Sequence, residues 1–328
     1  MRIDPGKVWQ PLATAFALLA LAGCSASRLN VEQPAVAAPP QTHVSSEVVE
    51  GTPGARVALP HYLIHTTIPD PYALRRIGQV LEGARHAYRS LAPEIPPSPL
   101  AMECFIFETR AQWAAYTRAH TGDDAAIYLR VNRGGYTVND KFVAYWIGET
   151  GTFSVAAHEG WHQYVARHLK GRLPPFLEEG LACMFEQVEW TEPGKNMEPM
   201  PRFDVRKNYA RLTALRAAVD GNDIYPLKTL MTMHAGQVVG KRSAKIEAFY
   251  AESWAFARFL HEKHPESLRR MLVDASRGAL FADSSSEDPG GGPLWDPATA
   301  QPMIEHYLGT KSGSIEAEFA GYVRQVVE

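Results

Sequence analysis

Two histidines four residues apart, with an acid between them, form the first cluster in this chain whose types and spacing could do chemistry. His158-Glu159-Gly160-Trp161-His162 sits in a stretch from Phe153 to Leu169 rich in apolar residues (Val155, Ala156, Ala157, Trp161, Tyr164, Val165), the pattern of a buried helix. Positions i and i+4 lie one above the other on a helix, so both imidazoles can reach one metal ion. Glu159, beside them, is placed to take a proton from a water on that metal. Only three positions are fixed, so the motif alone is suggestive in a chain of 328 residues.

A second element strengthens it. Zinc that does chemistry needs a third protein ligand and an open fourth position. Pro174-Pro175 opens another helix, Phe176-Leu177-Glu178-Glu179-Gly180-Leu181-Ala182, and either acid could supply that ligand. The two segments together resemble the gluzincin metallopeptidases, where His-Glu-x-x-His is followed by (Phe/Trp)-Leu-x-Glu-Gly-(Leu/Phe)-Ala. The resemblance implies one zinc ion held by His158, His162 and Glu179, with Glu159 as general base and a peptide or protein as substrate. Glu178 would project about 100° away from Glu179 on the helix. One departure concerns the acidic residue that thermolysin-type members carry four positions after the ligand, where it orients a histidine. Cys183 stands there, leaving Glu186 or another carboxylate for that task.

Within that clan the chain looks most like the bacterial peptidase-MA-like group designated DUF1570. Its later segment Tyr250-Ala251-Glu252-Ser253-Trp254-Ala255 resembles that group's (Tyr-x-x-Ser-Trp-Ala) helix. Tyr250 could donate to the oxyanion of a tetrahedral intermediate, or be a core tyrosine among Ile246, Phe249, Trp254, Phe256 and Leu260. His261-Glu262-Lys263-His264 has the wrong spacing for a metal and ends at Pro265. His61 and His65 are expected to be unrelated surface or core histidines, His168 to face solvent or the helix end, and Trp161 and Trp254 to be packing residues.

An expectation of a zinc metallopeptidase competes with two others. One is a catalytically inactive zinc-binding lipoprotein serving as an envelope interaction or structural module, against which an intact Glu159 argues. The other is a zinc hydrolase of a non-peptide bond, because the ligands determine the water's chemistry and leave the substrate open.

The rest of the chain positions and addresses this site. Arg2 and Lys7 precede a short apolar run, Leu12 to Ala22, that ends in Leu21-Ala22-Gly23-Cys24. This is an export signal, and its end resembles the lipobox of bacterial lipoproteins. That resemblance implies cleavage after residue 23, acylation of Cys24 and, since Ser25 rather than Asp follows, sorting to the outer membrane, with the chain lipid-anchored in the cell envelope. Residues 24–55 are rich in Pro, Ala, Val, Ser and Gln without periodicity, a flexible tether. The catalytic domain is expected over 56–328: a sheet-containing part at 56–150, then a helical part at 151–328.

Strands are expected at 57–67, 102–107 and 136–147 (one or two), with helices at 73–91 and 111–119 between them. Helices then follow at 153–169, 177–188, 204–219, 226–234, 244–263, 265–276, 298–309 and 313–327, with a Gly-rich loop from Ala282 to Trp295. The fold class is α+β, a small N-terminal mixed sheet before a mainly helical body, zincin-like by the resemblance. With 45% apolar and 21% charged residues and a net charge of -3, nothing points to nucleic acid as a partner. Lys207, Arg211 and Arg216 are expected on a solvated helix face. Cys104 and Cys183 are expected to be two separate buried thiols, although an oxidising compartment permits a disulfide.

Overall fold

A computed structural model describes residues 42–131, 134–192, 198–238, 242–281 and 296–328. The export signal, Cys24, the tether as far as residue 41 and the Gly-rich segment 282–295 lie outside the described residues. Among the described residues no helix is long and apolar enough to cross a membrane.

The fold is α+β, as expected. Strands β1 (His43–Val49), β2 (Thr52–Ala58), β3 (Tyr62–Thr66), β4 (Met102–Phe107), β5 (Gly135–Val138) and β6 (Lys141–Tyr145) form one sheet in the order β1-β2-β3-β4-β6-β5. The central pairs β3–β4 and β4–β6 are parallel and the outer ones antiparallel. Helix α1 (Pro71–Leu91) crosses from β3 to β4; Asp70 caps it by accepting from the Tyr72 amide, with Pro71 at the first helical position. Helix α2 (Arg110–His120), the short α3 (Ala125–Tyr128) and the β5–β6 hairpin complete this part.

The sheet begins earlier than the sequence suggested. The tether was expected to run to residue 55, yet His43–Val49 pairs along its full length with Thr52–Ala58. Its turn residues Glu50 (φ 48°) and Gly51 (φ 76°) are both left-handed, the geometry of a two-residue hairpin loop. Five of the seven β1 residues are exposed, so no buried alternation announced the strand. The single strand expected over 57–67 is likewise two, broken between Ala58 and Tyr62.

Period-two alternation divides the sheet's faces. Tyr62, Ile64, Met102, Cys104, Ile106, Phe142 and Ala144 face the main core under α1 and the helical body. Phe107, Val143 and Tyr145 face a smaller aromatic cluster with Trp113 and Tyr116 of α2. Cys104 and Cys183 are both free and buried, as expected.

The helical body runs α4 (Glu149–His168), α5 (Pro175–Cys183), the small ribbon β7 (Glu189–Trp190) and β8 (Pro201–Arg202), α6 (Tyr209–Asp220), α7 (Leu227–Met231), α8 (Ala235–Val238), α9 (Ser243–Lys263), α10 (Pro265–Arg277), α11 (Ala300–Leu308) and α12 (Ser312–Val327). Helix α4 is the hinge between the two parts. Gly160 meets the Tyr88 hydroxyl of α1, where a Cβ would stand 2.8 Å away, and that hydroxyl donates to the Ala157 carbonyl. Helix α5 packs along α9, and α6 lies against the same helix. Among the elements shorter than expected, two border the site: α5 stops at Cys183 rather than 188, and α6 starts at Tyr209 rather than 204. Both truncations matter to the site.

Candidate metal centre

The three donors that the sequence singled out come together. Nε2 of His158 and Nε2 of His162 are 3.4 Å apart. Glu179 Oε2 lies 3.4 Å from the first and 3.7 Å from the second. Two donors about 2.1 Å from one tetrahedral zinc ion stand about 3.4 Å apart, so the triangle has the size such an ion requires. The donor set, two imidazoles and a carboxylate, suits zinc. His158, His162 and Glu179 keep 14, 17 and 16% of their side chains exposed, so the centre is open to solvent rather than sealed.

Both histidines are held from behind. Nδ1 of His158 is 2.9 Å from Glu186 Oε1, and Nδ1 of His162 is 2.9 Å from Glu178 Oε1. A carboxylate on Nδ1 keeps the proton there and turns the Nε2 lone pair toward the metal. Glu178, the rival for the ligand role, therefore serves the neighbouring histidine, and Glu186 does the work for which Cys183 is chemically unsuited. Because α5 ends at Cys183, Glu186 stands beyond the helix.

The charges are mutually dependent. Burial disfavours an imidazolium at His162, but Glu179 and Glu178 outweigh it and hold the ring's pKa up to about 10. His158 is raised in the same sense against burial, by the Cys183 thiol and the carboxylates of Glu179 and Glu186. Burial pushes Glu179 upward, yet the two rings hold it well below the ordinary carboxylate range. Without metal, the pocket thus stores protons on its histidines opposite an ionised Glu179. His158, Cys183 and Glu186 form a second group of donors within reach of one another. Burial, and then Glu186, raise the thiol's pKa, and Arg211 and Asn208 already hold both oxygens of Glu186, so the first group is the better candidate.

Glu159, about 60° round α4 from His162 by helical spacing, meets strand β5 of the sheet. Thr137 on β5 sits with its Oγ1 3.0 Å from Glu159 Oε2 and 3.1 Å from the Glu159 carbonyl oxygen. Strand β5 lies at one edge of the sheet, opposite β1, so the candidate base is tied to an edge strand. Tyr250, on α9, is half-buried against the main core, with the Arg211 guanidinium 5.0 Å over its ring. Burial, followed by the Glu179 charge, pushes its hydroxyl well up, which keeps it a neutral donor beside the centre. It is a packed tyrosine, in contact with Phe249 and Arg211.

The packing explains why two distant motifs travel together. Gly180 lies against the Ser253 backbone of α9, where any Cβ would collide with the carbonyl, and Phe176 meets Phe256. The Glu-Gly pair of one motif thus docks on the Ser-Trp-Ala segment of the other. Residues 152–281 match the model of DUF1570, a protein family of unknown function. This DUF1570-like segment contains the three donors, Glu159, Glu186, Arg211 and Tyr250. No curated protein matches the chain.

The histidines expected to be bystanders are so. His61 pairs with Glu82 and His65 with Glu47. His168 is within 2.9 Å of the Tyr164 carbonyl through Nδ1 and accepts the Ser98 amide at Nε2, so neither nitrogen is left for a metal. His264 pairs with Glu318. One expectation is corrected. Of the basic residues expected on a solvated face, Arg211 is instead turned inward onto Glu186, while Arg216 is exposed and donates to the Val327 carbonyl and Lys207 precedes α6 and pairs with Glu189. Sequence reasoning missed Asn208, Arg211 and Thr137 altogether. Asn208 carried one readable signal, as a capping residue before a helix, and the other two carried none.

Proposed function

We propose that this protein is a zinc-dependent hydrolase outside the cytoplasm that cleaves peptide bonds, anchored to the bacterial envelope through Cys24. The observation that carries the hydrolase reading is an open triangle of two Nε2 atoms and one carboxylate oxygen, with an additional carboxylate, Glu159, next to a ligand in sequence. A purely structural site would close its fourth position and need no base.

Zinc bound there would polarise a carbonyl and lower the pKa of its water toward about 7. Glu159 takes the proton of the attacking water and then passes it to the leaving nitrogen. Thr137, by donating to one carboxylate oxygen of Glu159, leaves the other free for that exchange. Tyr250, kept neutral, offers a hydrogen bond to the oxyanion that develops. A peptide is favoured over other acyl substrates because the base is held by β5, whose outer edge can pair with an extended main chain.

The test is metal content together with cleavage of a broad peptide library by the mature protein, wild type beside Glu159→Gln. The reading expects one zinc per chain in both, and turnover by the wild type alone. Zinc without turnover on any peptide, protein or ester would favour a binding module instead.

A further inference from the structure

Helix α6 lies outside the two motif helices, yet it carries the residues that hold a ligand's partner in place. Asn208, the residue before α6, caps it through Oδ1, which accepts the Arg211 amide at 3.0 Å. Its Nδ2 donates to Glu186 Oε2 at 2.7 Å and to the Cys183 carbonyl at 2.8 Å. One turn on, Arg211 grips the same carboxylate with two bonds, Nε to Oε2 at 2.9 Å and Nη2 to Oε1 at 2.7 Å. With His158 Nδ1 also on Oε1, both oxygens of Glu186 are fully used. The cluster is nearly buried, with 11% of the Glu186 side chain and 18% of Arg211 exposed. A planar fork on a carboxylate is the arrangement that sets orientation as well as charge.

Nothing in α5 does this. Glu186 stands beyond the helix, and its amide reaches back to the Cys183 carbonyl only at 3.5 Å. The other supporting carboxylate, Glu178, lies within α5, and among the described residues no lysine or arginine pairs with it. The two histidines are therefore supported unequally, one by a helical residue and the other by a residue that α6 must hold.

We propose that Asn208 and Arg211 are positioning residues for the metal centre: they fix Glu186, and through it His158, and so set how tightly zinc is kept. The proposal rests on the zinc reading above but not on hydrolysis. Loss of the guanidinium would leave a buried carboxylate short of two donors and free to turn from His158.

The experiment measures zinc affinity of the full chain by competition with a chelator at one pH, and the visible bands of the cobalt-loaded protein. The variants are Arg211→Met, Arg211→Lys and Asn208→Ser; serine still caps α6 but cannot reach Glu186 as a donor pair. Folding is checked by circular dichroism and melting. Removing an outer partner of a metal-bound histidine weakens affinity about 10–100-fold. That loss is expected for Arg211→Met, with partial rescue in Arg211→Lys, about tenfold weakening in Asn208→Ser, and altered cobalt bands in all three. Folded Arg211→Met and Asn208→Ser proteins that keep zinc within about twofold of wild type would overturn the proposal. If Arg211→Met does not fold, Asn208→Ser decides alone by the same criterion. A wild type that binds no zinc would instead sink the metal reading itself.

Discussion

Gly180 and the carbonyl of Ser253 are in such close contact that no side chain fits between α5 and α9. The glycine follows the candidate ligand Glu179 directly, so the distance between the two helices also sets where the carboxylate stands. Gly180→Ala is expected to push α5 off α9, costing about 1–3 kcal/mol as overpacking does, and to weaken zinc binding at the same time. Thermal melts and zinc stoichiometry on one preparation check both effects; a variant that melts lower but binds zinc normally would separate Glu179 from this contact.

Glu178 and Glu179 are neighbours with different duties, and substitution should tell them apart. Glu179→Ala removes a ligand and is expected to abolish zinc binding at micromolar metal. Glu178→Ala removes the partner of His162 Nδ1 and should weaken binding about 10–100-fold without abolishing it. Equal losses in the two variants would contradict the assignment.

Metal uptake should depend on pH in one direction. Two carboxylates hold the His162 pKa at about 10 in the metal-free protein, so zinc must displace a proton that the site favours. Zinc binding is expected to release protons and to weaken as pH falls from 8 to 5. The sign for stability follows from linkage. The raised His162 stabilises the metal-free fold fully below its ordinary 6.5 and is lost as pH rises through about 10. The depressed Glu179 contributes above its ordinary 4.5 and is lost on acidification. The rise in melting temperature on adding zinc should therefore grow from pH 6 to pH 8, measured by scanning fluorimetry.

Glu252 is a buried carboxyl that the site does not use; it accepts the Tyr225 amide, and burial lifts its pKa to about 8. A folded state that keeps a proton the unfolded chain gives up is destabilised as pH rises between the two values. The contribution is full below the ordinary 4.5 and gone above about 8. Glu252→Gln, which can still accept that amide, should melt above wild type at pH 8, by an amount of order a few kcal/mol, and close to it at pH 5. An unchanged difference across that range would count against a protonated Glu252.

Thr137 ties the base to the edge strand. Thr137→Val should lower kcat about tenfold, the size of one hydrogen bond to a charged group, with zinc content unchanged, while Thr137→Ser restores most of it. Steady-state kinetics on any peptide found to be cleaved would decide.

Much of the centre was legible in the chain because it is local. His158 and His162 share a face by helical spacing alone, and Glu179 stands beside the glycine that its motif requires. Strand β3 announced itself by apolar alternation, β4 and β6 by short runs of apolar residues, and α1 by its Asp-Pro start. The β1–β2 hairpin did not, since β1 buries little and its Glu-Gly turn lacks the usual asparagine or aspartate signal. The end of α5 was misjudged because its sequence could continue as helix and the Asn208 amide that meets the Cys183 carbonyl lies on a later element; the start of α6 is local, set where Asn208 caps the Arg211 amide.

By itself the sequence determined the donor types, their helical spacing and the intact Glu159, because each is a matter of composition over a few neighbouring residues. Only the tertiary structure decided how those donors are supported. Arg211 lies 25 residues from Glu186 and Thr137 lies 22 from Glu159, and each pair meets because separate elements pack together. The same packing separated Glu178 from Glu179: adjacent on one helix, one faces the ring's Nδ1 and the other the point where both Nε2 atoms converge. Short-range pattern can name the atoms of such a centre, but their protonation and hold depend on long-range contacts that no local rule encodes.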